Sequence, residues 1–303
     1  MPASHVAGLV PAGPGHPRVE KFRNIKQGRG SHPAGAIALE GMWAIRSALD
    51  CSVPIDAVFV CVALLRGDAI AVLLPGLRAL GVETYEVSER VLRRMVDRDG
   101  PDGLAAIGRL PALALGDLRI QRTTRVVVAD SFELAGNLGT IIRTADGAGA
   151  AAVVVTDRRV RLTHPLVVKA SMGTIFSVPV IAADRARALA WLRVAGFTII
   201  AADPAAEVSY RDVAYIGPVA VVVGSERYGL AGFWREAADT VVSIPMFGMA
   251  DSLNVGHAAA LLLYEALHRQ TEDPEGRRPP HLGPSPHDRT ARGERTRRPP
   301  AAS

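Results

Sequence analysis

Three polar clusters in the second half of the chain combine residue types that can grip an anion, orient a hydroxyl and handle a proton. They are Asn137-x-Gly139-x-x-x-Arg143-Thr144-Ala145, then Gly224-Ser225-Glu226-x-x-Gly229, then Ile244-Pro245-Met246 followed by Ser252-Leu253-Asn254-Val255. An arginine presented from the start of a helix can hold a phosphate through its planar fork. Glu226, Asn137, Ser252 and Asn254 add hydrogen-bonding groups that can fix such a geometry. Each cluster follows an apolar run rich in β-branched residues, at 125–129, 219–223 and 241–244. These runs read as buried strands, and polar groups at their carboxyl ends stand where open α/β sheets bind ligands. The third cluster also opens a long apolar helix over 255–270, so strand ends and a helix start converge.

In order and spacing the clusters resemble the three motifs of the SpoU (TrmH-type) branch of the SPOUT RNA 2'-O-ribose methyltransferases. The resemblance covers about residues 126–268 and is nearest to the antibiotic-resistance type, the avilamycin- and thiostrepton-resistance enzymes that modify 23S ribosomal RNA. It implies an α/β fold: a carboxyl-terminal parallel-sheet SPOUT domain with a trefoil knot, preceded by a small ribosomal-protein-like α/β RNA-binding domain. Knots are rare, so that element comes from the resemblance alone. It also implies S-adenosyl-L-methionine as methyl donor, held by Gly224, Ile244, Leu253 and Ala202, with Arg143, Asn137, Glu226, Ser252 and Asn254 at the reacting hydroxyl. Structured RNA, with 23S rRNA foremost, is the implied substrate of a homodimer. The alternatives are a tRNA 2'-O-methyltransferase and a non-catalytic RNA-binding or ribosome-assembly protein of the same fold. The intact polar residues of all three motifs argue against the last.

A 2'-hydroxyl is a poor nucleophile and a sulfonium methyl a strong electrophile, so such an enzyme needs mainly alignment and a route for one proton, and no metal. In the family the arginine matching Arg143 is described as the general base. A guanidinium stays protonated to about pH 12 and beyond. Arg143 is therefore expected to orient ribose and phosphate and to stabilise the developing alkoxide, while phosphate or water takes the proton. Asn137 and Glu226 are expected to fix each other and Arg143, and Ser252 and Asn254 to cap the last helix while facing the hydroxyl. Gly224 permits close backbone approach at a strand end. Ile244 and Leu253, twenty and nine residues further on in turn, match the family's spacing. Taken singly these residues have plainer readings: a turn for Gly224, core packing for Ile244 and Leu253, a surface side chain for Arg143. A dinucleotide site is unsupported, because AGNLGT is not GxGxxG and no acidic residue ends the next strand at the usual distance.

With 303 residues, 49% of them hydrophobic, the chain can build two domains with cores of their own. A formal charge of +5 and a pI near 9.6 favour an acidic partner only modestly, so the placement of charge must decide. Cys51 and Cys61 lie in no CxxC or Cys/His cluster and read as buried free thiols of a reducing compartment. No leader pattern and no apolar run of about 18 residues is present, so the expectation is a soluble, cytoplasmic protein with no membrane contact.

Taken in order, residues 1–17 are rich in Gly and Pro and are expected as a flexible arm. Residues 18–112 alternate helix and strand, with helices over 34–49 and 69–80, strands over 57–64 and 82–87, and a cap at Ser88. By resemblance this is the RNA substrate-binding domain. Its basic run offers Lys21, Arg23, Lys26 and Arg29 to phosphates, against the plain reading of a solvated helix face. A linker follows at 113–124. Over 125–270, the catalytic domain, strands at 126–129, 152–155, 177–181, 198–202, 220–223 and 241–244 alternate with helices, the pattern of a parallel sheet covered on both faces. The last helix is apolar around more than one face, so Ala258, Ala259, Leu262, Leu263 and Leu267 can bury against a second copy as well as against the sheet. His164 and Lys169 share a segment that suits either RNA or solvent. Residues 271–303, with seven Arg against five acids and many Pro, are expected to be disordered.

Overall fold

The structure is a computed structural model and describes residues 8–65, 69–97 and 100–271. The start of the expected arm and the expected disordered tail lie outside the described residues. The first half folds as β1 (Val10–Pro11), α1 (Pro17–Gln27), β2 (Ala36–Glu40), α2 (Gly41–Asp50), β3 (Ile55–Val60), α3 (Ala69–Ala79), β4 (Glu83–Glu86), α4 (Glu89–Met95) and β5 (Leu104–Arg109). Its strands join in the order β1-β4-β3-β5-β2, with β5 antiparallel to both of its neighbours.

Three expectations change in this half. Residues 8–17 are not a loose arm, because β1 pairs in parallel with β4 and Ala12 is buried. Residues 34–49 are not one helix. Ile37 and Leu39 pack into one apolar cluster while Ala36 and Ala38 pack into another, the two-residue alternation of a strand, before α2 begins. The strand Leu104–Arg109 is not announced by the sequence pattern, yet it sits between β3 and β2.

The first helix is closed at both ends. His16 Nδ1 accepts from the backbone N–H of Arg18 (3.3 Å), and Pro17 takes the first helical position, where a missing N–H costs nothing. At the other end Gly28 adopts φ +66°, and the Arg161 guanidinium, from the second half of the chain, donates to the carbonyls of Ile25 (3.2 Å) and Lys26 (3.1 Å). The Ile25 carbonyl also accepts from the Gly28 N–H (3.1 Å), and a cation over these last carbonyls is favourable because they form the negative end of the helix dipole. A Cβ at Gly28 would lie 2.4 Å from Arg161 Cζ, so this lock needs glycine there.

The second half runs β6 (Arg125–Asp130), α5 (Ala135–Gly147), β7 (Ala152–Thr156), α6 (Pro165–Ala170), β8 (Val180–Ala183), α7 (Arg185–Val194), β9 (Thr198–Ala202), β10 (Val208–Ser209), β11 (Val219–Val223), α8 (Gly232–Ala237), β12 (Thr240–Ser243) and α9 (Val255–Thr271). The seven strands form one sheet in the order β10-β12-β9-β11-β6-β7-β8, and every pair is parallel. In β11, Val221 lies opposite Val127 on one side and Ile200 on the other, and all five residues are buried, which is why the run carries no polar residue. The strand expected at 177–181 begins only at Val180, because the N–H groups of Ser177 and Val178 turn back to the Thr174 carbonyl (3.1 and 2.9 Å) and close the 3-10 turn Thr174–Phe176.

One apolar cluster serves both sheets: Ile37, Leu39 and Ile45 from the first half join Val127, Leu138 and Ile141 from the second. Residues 113–124 therefore connect two sheets that share a core rather than two separately packed domains. A second cluster, with Phe22, Phe59 and Leu92, backs the first sheet and takes in Cys61, whereas Cys51, expected to be buried as well, is exposed; a third, with Val128, Leu192 and Trp234, backs the other face of the second.

Candidate active site

The carboxyl ends of β9, β11 and β12, together with the segment entering α9, surround a cavity of about 320 Å³. Ala202, Gly224, Ile244 and Leu253 line it, and so do Glu226, Ser252 and Asn254. Val223, Leu230 and Val242 supply apolar wall. Small-molecule sites commonly combine such walls with a few convergent polar groups, in volumes from about 300 Å³ upward. Asp203 also lines the cavity and is missed by the sequence reading, although it directly follows Ala202 at a strand end, the place the strand-end rule marks. Its buried carboxylate accepts from Ala205 N–H (2.9 Å) and pairs with Arg235 of α8.

The turn after β11 is tightly closed. Ser225 and Gly229 exchange backbone hydrogen bonds (3.1 and 2.9 Å), and the Tyr228 N–H donates to Ser225 Oγ (3.0 Å). A Cβ on Gly224 would sit 2.1 Å from the carbonyl oxygen of Gly229. Glycine is thus required for the turn to fold back on its own strand end, a nearer cause than the approach of a ligand.

Side chains from the first turn of α5, the turn after β11 and the segment before α9 meet on the rim. The Gly256 N–H donates to Asn254 Oδ1 (2.9 Å), Asn254 Nδ2 donates to Asn137 Oδ1 (3.2 Å), and Asn137 Nδ2 donates to Glu226 Oε1. The direction of this row follows from its ends: a backbone donor fixes the Asn254 amide, Asn254 fixes Asn137, and the row ends on a carboxylate that can only accept. Asn254 also caps α9 through its backbone carbonyl, which accepts from His257 and Ala258 N–H. Ser252 lines the cavity without any hydrogen bond among the described residues, so the cap expected from both residues belongs to Asn254 alone. Arg143, on α5, is exposed and makes no hydrogen bond or ion pair among the described residues. The expected tie from Asn137 and Glu226 to Arg143 is replaced by the tie to Asn254.

Beneath the loop that launches α5, the fully buried Asp130 carboxylate accepts from Arg185 Nε (2.8 Å) and from Thr156 Oγ1 (2.7 Å), and the same guanidinium also pairs with Asp157 (3.1 Å). Burial pushes the Asp130 carboxyl up, but the bonds from Arg185 and Thr156 outweigh it and hold the group below its usual range. This clamp joins the ends of β6 and β7 to the start of α7 and so sets the position from which Asn137 projects.

Comparison with known proteins places this arrangement. A sequence model of the SpoU rRNA methylase family matches residues 124–264. The 23S rRNA (guanosine-2'-O-)-methyltransferase RlmB of Ralstonia nicotianae is 33% identical over 206 residues, 66% of this chain and 83% of that protein. The chain belongs to the SpoU rRNA methylase family. The 23S rRNA (uridine(2479)-2'-O)-methyltransferase of Streptomyces viridochromogenes is 29% identical over 64% of this chain and 70% of that protein. In the solved structures, the S-adenosylmethionine-bound rRNA methyltransferase of Sinorhizobium meliloti superposes with a TM-score of 0.76 at 30% identity, covering 83% of this chain and 94% of that one. The fold is accordingly the SPOUT methyltransferase fold built on a parallel sheet, and the methyl donor of this SpoU methylase is S-adenosylmethionine.

The basic run of this SpoU methylase is divided by the fold. Lys26 is not available to RNA: its ammonium donates to the Met95 carbonyl (2.7 Å) and pairs with Glu40 (3.1 Å) and Asp97 (2.7 Å). One hydrogen bond and two ion pairs hold it within the fold, so it ties α1 to the start of α2 and the end of α4. Lys21, Arg23 and Arg29 make no such bond among the described residues, and Arg23 and Arg29 are exposed. His164 caps α6, its Nδ1 accepting from Leu166 N–H (3.1 Å), and burial with the nearby Arg161 charge pushes its pKa down. Lys169 is exposed.

Proposed function

We propose that this chain transfers the methyl group of S-adenosylmethionine to a ribose 2'-hydroxyl of 23S ribosomal RNA. The reading rests on one observation above all: the row Gly256–Asn254–Asn137–Glu226, drawn from three separate parts of the chain, borders the cavity lined by Gly224, Ile244, Leu253 and Ala202. The names of the relatives, which act on 23S rRNA at ribose 2'-oxygens, supply the substrate. Bound in the cavity, S-adenosylmethionine supplies an electrophilic methyl. Backbone groups of Gly224, Ile244 and Leu253 and the apolar walls hold its adenosine. Asn254, Asn137 and Glu226 fix the rim against which the ribose is placed. Arg143, free of internal partners among the described residues, orients the phosphate and stabilises negative charge on the attacking oxygen, whose proton passes to phosphate or water.

Primer extension on 23S rRNA, with and without the protein and S-adenosylmethionine, reads this directly as a new stop at one ribose. The absence of any new 2'-O-methyl group in 23S rRNA, with a stop in tRNA instead, would move the reading to the tRNA alternative. Growth of a cell carrying the gene against ribosome-directed antibiotics tests whether the methyl group protects the ribosome.

Three finer features belong to the same reading. The carboxyl-terminal path forms a trefoil knot, supported by the placement of β12 beyond β9 while α9 returns to β6, where Gln270 Oε1 accepts from Arg125 (2.6 Å). The five-stranded half docks RNA in the cytoplasm through Lys21, Arg23 and Arg29. Their joint replacement by Ala is expected to weaken RNA binding and to flatten its salt dependence, by roughly 0.7–0.9 in slope for each phosphate no longer neutralised. Unchanged affinity in a filter-binding titration would reduce the run to a solvated face.

The protein also pairs with a second copy, and of the α9 residues expected to serve both the sheet and that copy, only Ala258 and Leu267 keep exposed surface. Ala259, Leu262 and Leu263 are fully buried in the chain's own core, because that face of α9 packs on the sheet. The outward face offers Leu261 and Tyr264, and the loop before α9 exposes Phe247 and Met249 completely. Apolar side chains this bare suit a covered interface. Light scattering at micromolar concentration is expected to give a dimer, and a fully active monomer would sink the pairing.

A further inference from the structure

The turn that carries Glu226 also carries an aromatic side chain that the reaction just described does not use. Tyr228 is 63% exposed, and two guanidiniums flank its ring: Arg227 at 5.3 Å from the centroid and Arg159, from the loop after β7, at 6.0 Å. Arg227 makes no hydrogen bond or ion pair among the described residues, while Arg159 is tethered to Glu133 (3.2 Å). The turn itself is rigid, closed by the paired backbone bonds of Ser225 and Gly229 and by Tyr228 N–H on Ser225 Oγ. The turn therefore fixes the backbone from which the ring projects, two residues from the carboxylate that ends the rim row.

We propose that Tyr228 is a stacking platform for an unpaired base of the RNA next to the target nucleotide, with Arg227 and Arg159 taking the phosphates on either side of it. The assignment rests on the RNA reading above and adds the residue that selects a splayed, single-stranded substrate. Every base has a π-face, so an exposed ring binds one whatever its sequence, and flanking cations suit the phosphates that necessarily accompany it. The same two cations disfavour an apolar protein partner, since packing one there would strip water from guanidiniums and offer them no anion in return. A ring carried on an already closed turn has only its own side-chain torsions to lose when a base stacks on it.

Filter binding of a 23S rRNA transcript by the full-length protein separates the parts. Tyr228→Ala is expected to weaken binding by roughly ten- to a hundredfold, while Tyr228→Phe, which keeps the ring and loses only the hydroxyl, binds like the parent. Tyr228→Ala leaves the slope of log K against log salt unchanged, because every phosphate keeps its cation, whereas Arg227→Ala lowers it by about one. Calorimetry with S-adenosylmethionine reports whether each variant is folded, and Tyr228→Trp, with a larger ring at the same exposed place, gives a second test of stacking. Parental RNA affinity in Tyr228→Ala, equal losses in Tyr228→Phe and Tyr228→Ala, or a change of oligomeric state with unchanged RNA affinity would each overturn the proposal. A parent protein that binds the RNA without methylating it would overturn the functional reading alone, since the comparison of affinities stands without turnover.

Discussion

Methyl transfer by Arg143→Ala is expected to fall by at least about a hundredfold on saturating RNA, with the fold and S-adenosylmethionine binding nearly intact. The structure sharpens both halves of that expectation. Arg143 is exposed on α5 and bonds to nothing among the described residues, so its removal strands no buried partner and should change stability by no more than about 0.5 kcal/mol. It also lines no part of the cavity, so donor binding has no reason to suffer. The loss is therefore confined to the step in which charge develops on the ribose oxygen. Arg143→Lys divides the explanation further: partial activity supports electrostatic stabilisation, and none shows a need for the planar fork. Near-normal turnover of Arg143→Ala would remove the residue from the catalytic assignment.

Gly224→Ala is expected to be the more damaging change to binding, although it adds a single methyl group. That carbon would lie 2.1 Å from the Gly229 carbonyl oxygen and 2.4 Å from its carbon, both backbone atoms that cannot swing aside. Relief requires opening the turn, and with it the two backbone bonds between Ser225 and Gly229, at about 1 kcal/mol each or more. Glu226 rides on that turn and Gly229 lines the cavity, so donor affinity measured by calorimetry should drop by at least about tenfold. Gly232→Ala, whose new methyl would meet open space, serves as the control and should bind like the parent. Parental donor affinity in Gly224→Ala would show that the turn opens at little cost.

Much of the cavity is legible in the sequence because it is made of strand ends. Ala202, Gly224 and Ile244 each follow a run of β-branched or small apolar residues, and a parallel sheet must bring such ends to one edge. The pairing of Asn137 with Glu226 is legible for the same reason. What stays hidden depends on partners distant in the chain. Nothing local to Lys26 distinguishes it from Lys21 or Arg23; only the fold brings Glu40 and Asp97 to it. The Asp130–Arg185 clamp is likewise invisible until β7 and α7 are in place. The strand 36–40 is concealed because its apolar residues run on into α2, so a two-residue alternation is absorbed into a longer helical pattern. In α9 the apolar pattern is plain, but packing decides which face meets the sheet and which is left outward, and it turns Leu262 and Leu263 inward.

The lock between Arg161 and the end of α1 limits how this protein can be recombined. The guanidinium occupies the space that any side chain at position 28 would need, and that space is open only because glycine stands there. An amino-terminal half grafted from a relative would have to end its first helix in glycine at this place, or the host would have to surrender Arg161. Two positions far apart in the chain thus form a compatibility rule for chimaeras: exchanged together they preserve the seam, and exchanged singly they set a side chain against a guanidinium.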